Sequence, residues 1–106
     1  MFEQESIQEA AKELDIVLKH DDFAQNRLLL AERVNDLAQH DFQRLLTILY
    51  RIDVSEEKLR GFLKENTGID AGLIIADLII EREMQKIKSR QQFNEQNTQI
   101  DEDEKW

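Results

Sequence analysis

The chain has 106 residues, with 23 aspartates and glutamates against 14 lysines and arginines, a formal charge of −9 that repels polyanions and argues against sequence-independent nucleic-acid binding. A chain this long forms one domain, which buries roughly 65% of the surface its unfolded state exposes. Cysteine is absent, so neither a disulfide framework nor a thiolate metal site is available. The N-terminus has no basic flank followed by an apolar run, and the longest apolar stretch, Leu73 to Ile80, is interrupted by Asp77, short of the roughly 18 residues needed to span a bilayer. A cytoplasmic protein with no membrane association is expected.

Proline is absent and glycine occurs only at Gly61, Gly68 and Gly72, a composition that favours helices separated by capping residues. The expected fold class is all-α: a compact bundle of four to five helices with a long, central fifth helix and an acidic C-terminal tail. The first helix is expected from Glu3 to Leu18, with Ile7, Ala10, Ala11, Leu14, Val17 and Leu18 on one apolar stripe. After His20-Asp21-Asp22 a second helix runs from Phe23 to Ala38, capped by Asp21 or Asp22, with Phe23, Leu30, Ala31, Val34, Leu37 and Ala38 facing inward. A third, from Phe42 to Ile52, is capped at His40-Asp41 and turns Phe42, Leu45, Leu46, Leu49 and Ile52 inward. Continuity of the second and third helices is the alternative.

Ser55 is a good N-cap, and Val54 before it is placed to pack on Leu59, a hydrophobic staple. The fourth helix therefore starts at Glu56, buries Leu59, Phe62 and Leu63, and stops at Asn66-Thr67-Gly68. Asp70 caps the fifth helix, with Ile69 and Ile74 as a second staple. From Leu73 to Ile80 this helix is apolar almost all round, which places it at the centre. Ile75, Leu78, Ile79, Leu46, Leu49 and Phe62 are expected among the most buried residues. From Glu81 onward the helix is mostly charged, and residues 94–106 are too polar to order themselves. The domain division is thus a helical body over 1–93 and a flexible acidic tail over 94–106.

Charge is unevenly distributed: residues 1–41 sum to −6, 42–80 to −1, 81–93 to +2 and 94–106 to −4. The one basic cluster, Arg82, Lys86, Lys88 and Arg90, occupies the later turns of the fifth helix, where the helix dipole favours cations. It would suit an acidic partner or the chain's own acidic tail. Val54 to Gly68 with its neighbours also reads as helix, turn, helix, but the exposed positions after the turn, Glu56, Glu57, Lys58, Arg60, Lys64 and Glu65, carry mixed charge. Nucleic acid is therefore the second-ranked partner. His20-Asp21 and His40-Asp41 pair imidazole with carboxylate, as metal-dependent phosphohydrolases do. With two histidines in all, a hydrolase built on His20 and His40 ranks below Asp acting as helix caps. No phosphate loop or nucleophile elbow is present. The expectation is a non-enzyme with no cofactor and no small-molecule substrate.

The phrases Leu49-Tyr50-Arg51-Ile52-Asp53-Val54-Ser55-Glu56 and Leu78-Ile79-Ile80-Glu81-Arg82 resemble those of a family of small bacterial helical proteins of uncharacterised function. The likeness covers residues 35–93 and implies a bacterial, cytoplasmic, one-domain protein without implying an activity. What remains is interaction with a protein partner, most simply a second copy of the chain. The surface expected to carry it is an apolar patch on the fifth helix at Met84 and Ile87, rimmed by Arg82, Glu83, Lys86 and Arg90.

Overall fold

Five helices follow one another along the chain: α1 (Phe2–Glu13), α2 (Phe23–His40), α3 (Phe42–Ile52), α4 (Glu56–Glu65) and α5 (Ala71–Asp103). This computed structural model describes residues 2–19, 21–65 and 70–103, and side chains within 3–19, 21–62, 64–65 and 70–92. Among the described residues there is no strand, and the fold is all-α. His20, Leu63, the Asn66-Thr67-Gly68 stop, Ile69 and the side chains of the acidic tail lie outside them.

The first helix ends five residues before the expected boundary. Asp15 takes a left-handed backbone conformation, φ 59°, and two reversed hydrogen bonds close the turn: the Asp15 N–H donates to the Lys12 carbonyl at 3.2 Å and the Ile16 N–H to the Ala11 carbonyl at 3.0 Å. These are the two bonds of a Schellman motif. Beyond it the helical period no longer applies, so Ile16 and Leu18 pack on the core while Val17, expected inside, is 82% exposed. Arg33 of α2 reinforces this end, its Nε donating to the Leu14 carbonyl at 2.9 Å. The same device ends α3, where Asp53 has φ 69° and the Asp53 and Val54 amides bond back to Tyr50 and Leu49.

Aspartate tolerates the left-handed region through its short polar side chain, whereas a β-branched residue does not. Asp15→Val is therefore expected to cost about 1–2 kcal/mol. Asp15→Gly should melt slightly above the parent, which a thermal denaturation series resolves.

The second and third helices are separate. Asp41 leaves helical geometry (φ −153°, ψ 63°), donates its N–H to the Leu37 carbonyl, and accepts the Arg44 N–H on its side chain. The other caps sit where the sequence places them: Asp22 accepts from the Ala24 amide, Ser55 Oγ from Lys58 and Asp70 Oδ1 from Gly72. Val54 and Leu59 both pack against the core.

Helix α5 is the hub, with α1, α2, α3 and α4 all packed against it. Ile74, Ile75, Ala76, Leu78, Ile79 and Ile80 are buried from several sides, as an all-round apolar segment requires. The helix continues to Asp103, past the expected end near Phe93. No glycine or proline follows Gly72, and each added residue extends an existing helix at little cost. Its 33 residues span about 50 Å, most of the 57 Å long axis of the molecule.

Four expected core positions lie elsewhere. Phe42, Leu46 and Phe62 are exposed, as is Ala38. Helix α3 instead buries Leu45, Ile48, Leu49 and Ile52. Those four fill one side of the helix, and Phe42 and Leu46 turn out of it.

Candidate interaction surface

The expected patch on α5 is not an apolar surface. Ile87 is 5% exposed, covered where α1 runs alongside, and Met84 is half-buried. Arg82, Lys86 and Arg90 share one face of α5 at i, i+4 and i+8, and together with α1 they line a shallow groove that also contains Glu9, Glu13 and Glu83. Two of the three cations are met within the molecule. Arg82 reaches Asp53 at 3.4 Å and its Nε is buried without a hydrogen-bond acceptor, while Lys86 lies 3.8 Å from Glu83. Lys88 projects from a different side of the helix, so the linear cluster does not form one basic field.

Glu83 is the buried charge of this groove, 5% exposed. Burial raises its pKa above the ordinary glutamate value; Lys86 opposes the shift, Glu13 and Glu9 of α1 add to it, and Arg90 opposes it. A carboxyl whose pKa is higher folded than unfolded stabilises the fold below the unfolded value and loses that contribution as pH rises through the folded value. Glu83→Gln should therefore melt higher than the parent at pH 7. The difference should close as pH falls towards about 4.3, the ordinary glutamate value. Melting midpoints of both proteins between pH 4 and 8 check the sign.

A second concavity, about 250 Å³, lies between α2 and α4 over the first turns of α5, walled by Arg27 and Phe62 and floored by Leu73, Ile74, Asp77, Leu78 and Glu81. Its polar groups are committed to each other. Arg27 grips Asp77 with Nε–Oδ1 at 2.5 Å and Nη2–Oδ2 at 2.7 Å, and this hydrogen bonding raises the guanidinium pKa further. Glu81 accepts from Lys58 Nζ at 2.6 Å. These links join α2 and α4 to α5.

The histidine pair is likewise not assembled by the described residues. His40 is exposed, 3.8 Å from Asp36, His20 lies outside the description, and among the described residues no group of three His, Asp or Glu could hold a metal. Among them, too, no helix is long and apolar enough to cross a membrane.

Among the described residues, three of the six exposed large apolar side chains stand on α3. Phe42, Leu46 and Tyr50, 56%, 42% and 89% exposed, stand at i, i+4 and i+8 and so form one continuous stripe on the helix. It lies beside the buried face of Leu45, Ile48, Leu49 and Ile52. On the opposite edge Arg44 and Arg51 bridge to α1, at 3.4 Å from Asp15 and 3.0 Å from Glu13. Burial of Leu45, Ile48, Leu49 and Ile52 sets the rotation of α3, so the stripe points outward. The sequence reading missed it by assigning Phe42 and Leu46 to the core. The available signal was seven apolar residues among the eleven of α3, more than one helical face holds. Compared with known protein families, curated proteins and solved structures, the chain matches none.

Proposed function

We propose that this protein is a non-catalytic interaction module whose contact surface is the Phe42–Leu46–Tyr50 stripe of α3. The observation that carries the reading is Tyr50, a large aromatic side chain 89% exposed at the end of a row of apolar neighbours. Exposed apolar rows of this kind are characteristic of protein contact sites, where tyrosine and phenylalanine are enriched. The internally paired charges of the α2–α4 cleft and of the α5 groove support a binding role over a catalytic one. They also weigh against the basic cluster as a nucleic-acid site. A cysteine-free, acidic chain suits the cytoplasm, where we place it.

A photo-crosslinking amino acid in place of Tyr50 tests this. In cell extract it should form covalent protein adducts, its own homodimer included, whereas the same group in place of the exposed Glu57 on α4 should not. Equal labelling at the two positions, or none at Tyr50, would count against the reading.

A further inference from the structure

We infer that the partner of the α3 stripe is a second copy of the chain, packed antiparallel across a two-fold axis through Leu46. The inference rests on the stripe being a contact surface and adds the identity and geometry of what covers it. Two observations point to self-pairing, and a third sets its strength.

The first is symmetry. An aromatic side chain lies four residues to either side of Leu46, so the row has the same chemical sequence in both directions. A two-fold contact requires such self-complementarity, because each patch must serve as its own partner. Antiparallel pairing sets Leu46 on Leu46 and each Phe42 against the Tyr50 of the other copy.

The second is charge. Two chains of −9 repel, so they meet most easily where carboxylates are fewest. Helix α3 is the one described helix with no aspartate or glutamate. Gln43 and Thr47, the next residues round the helix from the stripe, are uncharged, and both arginines are engaged with α1. A basic partner would find no row of acids here to recognise.

The third is area. With about 200 Å² for a fully exposed aromatic side chain, the three exposures of 56%, 42% and 89% leave roughly 350–400 Å² per copy. Two copies bury about 750 Å², below the roughly 1,200 Å² of the smallest stable complexes. The pairing is therefore reversible and concentration-dependent, at the weak end of such contacts.

Sedimentation equilibrium of the full chain from micromolar to millimolar concentration should show a monomer–dimer equilibrium. Leu46→Lys should weaken it at least tenfold without lowering the melting midpoint, because the side chain is not in the core. The geometry has its own test, since the chain contains no cysteine and introduced thiols report alone. Under mild oxidation Leu46→Cys should link to itself, and a mixture of Phe42→Cys and Tyr50→Cys should form the mixed dimer in excess of either homodimer. Glu57→Cys sets the background rate. A monomer at all concentrations, or linkage at position 46 no faster than at 57, overturns the inference. If the crosslinker at Tyr50 still captures other proteins, the interaction reading stands with a different partner, and if it captures none, both fail.

Discussion

Ile79→Ala is expected to destabilise the protein by about 2–5 kcal/mol, the usual cost of removing most of a buried aliphatic side chain and leaving a cavity. Ile79 has 0% exposure and belongs to the same core cluster as Ile7 of α1, Leu30 of α2 and Leu45 of α3. A gap there is bordered by several helices at once, and no single side chain collapses into it. A domain of this size has a total stability on the order of 5–15 kcal/mol. Each kilocalorie shifts the midpoint by about 4–8 °C, so a fall of at least 8 °C is expected. Val17→Ala, at a position 82% exposed, is the matched control and should melt with the parent. Equal melting of the two variants would mean that α5 is not the centre of the bundle.

Gly72→Ala should also destabilise, by about 1–3 kcal/mol, although alanine is the better helix former by about 1 kcal/mol. The reason is the crossing of α2 and α5. A Cβ built on Gly72 would lie 2.6 Å from the Ala31 carbonyl oxygen and 2.6 Å from the Asn35 side chain. The first of these is backbone and does not rotate away. Asn35 is held as well, its Nδ2 donating to Asp70 Oδ1 and Oδ2 at 3.1 and 3.0 Å. The two helices would have to separate, disturbing the Arg27–Asp77 link further along the same pair. Gly61 meets nothing within 4 Å of its added Cβ, so Gly61→Ala should stabilise instead. Opposite signs for one substitution in two helices would separate packing from propensity in a single thermal series.

Much of the architecture follows from local chemistry. Asp22, Ser55 and Asp70 cap helices because a short side-chain oxygen following a break satisfies amides that have no carbonyl partner. The segment from Ile74 to Ile80 is central because every side chain in it but Asp77 is apolar and buried. These are properties of a few adjacent residues, and they survive without knowing what packs where.

The exposed stripe of α3 was not legible in the same way. Leu46 and Leu49 are the same residue type, three positions apart on one helix, yet one is exposed and the other buried. What separates them is the rotation of α3 about its axis, set by which of its sides packs on a core built by helices distant in sequence. Ile87 is the converse case: isolated among charges in the sequence, it is buried where α1 packs along α5. The sequence alone determined the all-α class, most caps and the apolar centre, because each depends on residues within about two turns of one another. Which apolar side chains stay exposed was decided only by the tertiary structure, because helix rotation depends on contacts between distant segments that no local pattern encodes.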